Sequence, residues 1–200
     1  MSAGTAKSES LGAHGSGAPS TWVTRFMRGI SGGGTVLDVA CGNGRNLRMA
    51  LAAGYSVTGV DRDLSGVADL EGGKNLRLCA ADLETGAASP LRSLLNGETF
   101  DGVIVTNYLW RPILPDIVER VAPGGVLIYE TFALGNERVG RGKPSNPDFL
   151  LKPGELLEAI GPHLVAIAYE HVCLATPQSV VQRVVAVGKD HRWHIMPPAA

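Results

Sequence analysis

The stretch from Thr35 to Asn46 constrains this chain more than any other. Thr35-Val36-Leu37-Asp38-Val39 is an apolar, β-branched run that reads as a strand. Gly42-Asn43-Gly44 follows as a tight turn, and Leu47, Ala50 and Leu51 then recur at helical spacing. Strand, glycine turn and helix form the entry unit of a nucleotide-binding α/β fold. Glycine permits unusual dihedrals and close ligand approach, and the helix start offers free N–H groups.

Spacing narrows the ligand. A dinucleotide fingerprint, G-x-G-x-x-G/A, needs a small third residue to pack helix on strand. Counting from Gly42 and Gly44 puts Leu47 there; counting from Ala40 and Gly42 puts Arg45 there. Neither fits, and no G-x-x-x-x-G-K-[ST] phosphate loop exists. The remaining pattern is D-x-A-C-G-x-G, from Asp38 to Gly44.

Downstream signals arrive in order. Tyr55 to Val60 reads as a second strand ending at Asp61, 17 positions after Gly44. An acid at that place can accept hydrogen bonds from both ribose hydroxyls, whereas Asp63 is the better helix cap. Asn75 to Ala80 reads as a third strand, followed by Ala81-Asp82-Leu83, and Phe100 to Thr106 as a fourth. Asp101, at that strand's start, reads as structural. Ala122-Pro123-Gly124-Gly125 turns into a fifth strand that reaches Glu130.

The ordered set closely resembles the class I S-adenosylmethionine-dependent methyltransferases over roughly residues 22–188, with Ala40 where many members have glycine. Arg45 and Asn46 give the turn a likeness to the tellurite-resistance and thiol methyltransferase branch. The resemblance implies a Rossmann-like α/β fold: a seven-stranded, mostly parallel sheet, helices on both faces and a C-terminal antiparallel hairpin. It implies S-adenosylmethionine as cofactor, contacted by Asp38, Ala40, Cys41, Gly42, Gly44 and Asn46. Asp61 and Arg62 would take the ribose side, Asp82 and Leu83 the adenine, and Asn107 the end of the fourth strand. An N-P-P-[YFW] amino-methylation motif is absent at Asn107-Tyr108-Leu109-Trp110, which disfavours that subclass.

Composition sets the outer limits. At 200 residues with 44% hydrophobic and 18% charged side chains, one globular domain is expected. We expect a disordered tail at 1–18, containing His14, the domain at 19–188 and a C-terminal tail at 189–200. A net charge of −1 leaves no basic footprint for nucleic acid. Neither a membrane span nor a secretory signal is read. Cys41, Cys79 and Cys173 are odd in number and widely spaced, so a reducing, cytoplasmic setting without disulfides is expected. No histidine pair carries metal-ligand spacing worth pursuing, His191 and His194 included. The sequence leaves the oligomeric state open.

Acceptor chemistry is less legible. Ligands in open α/β sheets lie beyond the strands' carboxyl ends. That places Tyr108 and Glu130 as catalytic candidates, and Trp110 and Arg111 as substrate contacts. Trp110 and Tyr108 could equally pack on the helix that Pro112 starts. Residues 135–149 form a long basic loop, read either as a lid or as a solvated surface loop. As a lid it brings Arg138, Arg141 and Phe149 to the acceptor. The helix at Trp22, Phe26 and Ile30, capped by Ser20, either packs on the sheet or walls the cleft. The expected activity is methyl transfer to a small molecule such as a thiol or chalcogen oxyanion. The alternatives are a protein or tRNA acceptor, a non-catalytic cofactor binder, and a nicotinamide-dependent oxidoreductase.

Overall fold

The computed structural model describes residues 17–87 and 89–199. The tail expected at 1–18 therefore lies mostly outside the described residues, His14 with it. Seven strands form one sheet in the order β3-β2-β1-β4-β5-β7-β6. They are β1 (Thr35–Val39), β2 (Ser56–Asp61), β3 (Leu76–Ala80), β4 (Phe100–Thr106), β5 (Val121–Phe132), β6 (Val165–Ala175) and β7 (Gln178–Val187). The first five are parallel, and β7 runs antiparallel between β5 and β6. This is the expected class I sheet with its terminal hairpin. The strand order reverses at β1, so ligand space opens beside the carboxyl ends of β1 and β4.

Alternation along the strands builds two cores. Leu37, Val39, Val103, Val105, Leu127 and Tyr129 face one side and pack with α3 (Pro90–Leu94), α4 (Leu114–Glu119) and α5 (Glu155–Ile160). Val36, Ile104, Val126 and Ile128 face the other, with α1 (Thr21–Phe26), α2 (Arg45–Ala52) and the C-terminal Trp193. Helices are short throughout, and none is long and apolar enough to cross a membrane among the described residues.

Several elements differ from the sequence expectation in extent. Helix α1 stops at Phe26 and tightens into a 3₁₀ turn, Met27–Gly29, yet Trp22, Phe26 and Ile30 all remain buried. Ser20 caps it as expected, its Oγ accepting from Val23 N at 3.3 Å. The Pro-Gly-Gly turn is a bulge inside β5: Val121 pairs with Phe100, and Val126 already pairs with Gly102. Four residues thus loop out opposite one. The segment from 189 is no free tail. Trp193 is 5% exposed against Phe26, and His191 Nε2 bonds the carbonyl of Gly29 at 3.0 Å. An apolar ring after the last strand buries itself because the groove beside α1 would otherwise stay open.

Candidate active site

The glycine turn is held from below and from the side. Ala40, Gly42 and Gly44 all take positive φ, at 54°, 51° and 71°. A methyl-bearing residue at Ala40 is strained in that region, and neighbouring bonds hold it. Cys41 N donates to Val60 O at 3.1 Å, and Gly44 N to Cys41 O at 2.8 Å. Leu47 finds its room at Gly59 of β2, where a Cβ would stand 2.5 Å from Leu47 Cδ1. Close helix–strand packing therefore comes from a glycine on the strand, where a dinucleotide fold uses a small residue on the helix.

Asp61 closes the turn from the next strand. Its Oδ2 accepts Gly42 N at 2.8 Å and its Oδ1 accepts Asp63 N at 3.0 Å. A carboxylate offers about four lone-pair sites, so a pair remains for two further donors. The capping role falls to Asp63, whose Oδ1 accepts Ser65 N at 2.9 Å. Asp82 Oδ1 accepts Glu84 N at 2.9 Å, leaving its second oxygen for a ligand donor.

A cleft of about 520 Å³ lies at these strand ends. Of the residues read from sequence, Ala40, Asp61, Arg62, Asp82, Leu83, Asn107, Tyr108 and Phe149 border it. Leu109, Thr131 and Phe132, which lie in stretches read as facing the ligand but were not singled out as contacts, border it too, as do Ala81, Glu84 and Pro144. Thr131 was recoverable, because alternation along β5 puts it opposite Glu130.

Other expected site residues stand elsewhere. Asp38 is 2% exposed beneath the turn and does not border the cleft. Burial raises its pKa to about 7, opposed by the Leu47 backbone N–H and then by Arg45; its Oδ2 has no partner among the described residues. Cys41 is buried, and its thiol is pushed up to about 12 by that burial and by Asp38 and Asp61. Gly42 and Gly44 shape the turn without bordering the cleft. Asn46 is a brace: Oδ1 accepts Ser20 N at 3.0 Å and Nδ2 donates to Thr106 Oγ1 at 3.0 Å.

Glu130 is a brace as well, on the opposite face of β5 from the cleft-lining Thr131. It accepts Ser20 Oγ at 2.9 Å and Arg183 Nη1 at 3.3 Å, and Arg183 lies over Trp22 at 4.6 Å. With both oxygens engaged and only 9% exposure, it is not placed to take a proton from an acceptor. Tyr108 does border the cleft. Burial pushes its phenol well above the usual tyrosine range, and Glu84, Asp82 and Asp61 push it further. It stays protonated near neutrality, and its Oη is buried without a partner among the described residues.

The 135–149 loop is tethered at several points. Arg111 donates to the carbonyls of Asp148 (2.6 Å) and Leu150 (2.8 Å), and pairs with Glu155 at 2.6 Å. Asn136, 1% exposed, accepts Val180 N and donates to Lys143 O. Arg111 thus holds the loop and does not border the cleft. Trp110 packs on the core, with its Nε1 buried and unpartnered among the described residues. Arg138 is 84% exposed beside Glu137, and Arg141 is exposed away from the cleft. Of the loop's expected substrate contacts, only Phe149 reaches the cavity.

A family model described as a methyltransferase domain matches residues 36–125, from β1 through the Pro-Gly-Gly bulge. The match spans a little under half of the chain and takes in the glycine turn, Asp61 and Asp82. No curated protein matches this chain in sequence. Among solved structures it is similar to the N-methyltransferase NodS from Bradyrhizobium japonicum, with TM-score 0.61 and 14% identity, covering 84% of this chain and 94% of that one. It is similar to the Burkholderia thailandensis 1,6-didemethyltoxoflavin-N1-methyltransferase, which holds 1,6-didemethyltoxoflavin and S-adenosylhomocysteine. There the TM-score is 0.58 and the identity 19%, over 84% of this chain and 77% of that one. TehB from Haemophilus influenzae gives TM-score 0.62 at 21% identity, covering 84% of this chain and 61% of that one. At these identities the likeness establishes the shared fold.

The cleft fits the methyltransferase cofactor on its own terms. Asp61 and Asp82, each with acceptor capacity left over, both border the cleft. Three carboxylates against one arginine (Asp61, Asp82 and Glu84 against Arg62) also suit a cationic ligand.

Proposed function

We propose that this methyltransferase acts on a small-molecule acceptor bound in the same cleft as the cofactor. The observation that carries this reading is the cavity's two-part lining. The carboxylates stand at the end of β2 or follow β3, on one side of the sheet, and Thr131, Phe132, Pro144 and Phe149 lie at the end of β5 or beyond it in the chain. A cavity of about 520 Å³ lies in the usual range for small-molecule sites.

S-adenosylmethionine supplies an electrophilic sulfonium methyl for in-line displacement. Asp61 would hold the ribose hydroxyls, Asp82 and the Leu83 backbone the adenine, and the Ala40–Gly44 turn the amino-acid portion. The protein's task is then to fix two reactants in near-attack geometry and keep water out. Tyr108 remains protonated and Glu130 is engaged elsewhere, so the acceptor supplies its own lone pair without a protein base. The similarity to a methyltransferase holding 1,6-didemethyltoxoflavin supports a small-molecule acceptor.

The test is a tritium-transfer screen from labelled S-adenosylmethionine, with thiols, chalcogen oxyanions, heteroaromatic amines, tRNA and protein extract as separate arms. Label should enter a small-molecule arm. Label confined to tRNA or protein would overturn the reading. Calorimetric titration with S-adenosylmethionine and NAD runs beside it, and only the former should bind.

A further inference from the structure

The two ends of the cleft differ in charge, and that difference selects the acceptor. Among the described residues the only bordering cation is Arg62, beside Asp61 in the chain. The loop's own cations do not compensate: Arg138 points to solvent beside Glu137, and Arg141 and Lys143 do not border the cavity. Arg111 is taken by Glu155 and two carbonyls. An anionic acceptor at the far end would find no free cation among the described residues that line the cleft.

What the far end does offer is apolar surface. Phe149 is a large hydrophobic residue left 40% exposed. It is held nonetheless, because Arg111 grips the carbonyls on either side of it, at Asp148 and Leu150. Phe132 and Pro144 border the same cavity, the latter's carbonyl accepting from Asn136 Nδ2 at 3.3 Å. Among the described residues no ring pair involves Phe132 or Phe149. Aromatic rings on a cavity wall that pair with no other ring suit a flat guest, since stacking adds to area burial.

We propose, building on the small-molecule methyltransfer reading, that the acceptor is a neutral, planar aromatic or heteroaromatic nucleophile seated at Phe132, Pro144 and Phe149. A chalcogen oxyanion is thereby excluded. The new bond forms from the acceptor's own lone pair to the methyl carbon. The carbon–sulfur bond breaks with its electron pair kept on sulfur, and any proton on the acceptor leaves afterwards to solvent.

The experiment is calorimetry on the full chain saturated with S-adenosylhomocysteine, using quinoline as the neutral planar probe and selenite as the anionic one. Quinoline should bind, and Phe149→Ala should weaken it at least tenfold, with an unchanged thermal midpoint as folding control. The double variant Arg138→Ala/Arg141→Ala should bind quinoline like the parent, and selenite should give no heat. The proposal is overturned by selenite binding, by quinoline failing to bind, or by binding indifferent to Phe149→Ala. Failure of S-adenosylhomocysteine itself to bind would instead remove the methyltransfer reading, and the acceptor assignment with it.

Discussion

Asp61 Oδ2 accepts the backbone N–H of Gly42 at 2.8 Å, joining the end of β2 to the glycine turn after β1. One carboxylate thus sets the turn's shape while keeping lone pairs free for ligand. Asp61→Ala should weaken S-adenosylhomocysteine binding by roughly tenfold to a hundredfold, the equivalent of about 1–3 kcal/mol for a lost charged hydrogen-bond acceptor. Calorimetric titration measures it. An unchanged affinity would remove Asp61 from the site.

Arg111 should behave as a loop tether. Arg111→Ala releases the carbonyls of Asp148 and Leu150 and unpairs Glu155. The pair is partly exposed, so the stability loss should be modest, about 1–2 kcal/mol. Limited proteolysis within 140–150 should accelerate several-fold. Arg111→Lys should not restore resistance, because a single ammonium lacks the guanidinium fork that serves four oxygens. Unchanged cleavage would contradict the tether.

Asp38 gives a pH signature of known sign. Burial raises its native pKa from 3.8 to about 7. Between those values the native state keeps a proton that the unfolded chain has lost. Stability from this group is therefore full below 3.8, falls as pH rises to about 7, and is level above. Asp38→Asn removes the titration. Urea denaturation at several pH values should show the variant gaining on the parent from pH 4 to 7. A pH-independent difference would mean Asp38 titrates normally.

Trp193 should prove part of the core. Trp193→Ala empties a buried ring site against Phe26 and Gly29, at a cost of about 3–5 kcal/mol. Thermal unfolding reads the loss, and a midpoint within a degree of the parent would restore the view of a free tail.

The strands and the cofactor end were legible because they are local. β-branched runs, a glycine turn, an acid after β2 and a Pro-Gly-Gly step each act within a few residues of themselves. Asp61, Asp82 and Leu83 duly border the cleft. Asp101, read as structural, accepts Thr35 N at 2.8 Å. The acceptor end was read less well, since a charged residue near a strand end carries no sign of what it faces. Arg111 and Glu130 sit at the expected positions in the chain, yet each is engaged by a residue more than forty positions away.

The sequence alone determined the sheet, its α/β class and the strand-end location of the cleft. Those follow from alternation, turn dihedrals and spacing, which act along the chain. Only the tertiary structure decided which polar groups were already spent. Asp116 illustrates it: a helix residue, 2% exposed, whose carboxylate accepts Leu91 N at 2.7 Å and so caps α3 from α4. Buried polar groups must find partners, and partners far apart in sequence are chosen by packing. That demand turned Asn46, Glu130 and Arg111 into braces, and it left Thr131, Phe132 and Phe149 bordering the cleft.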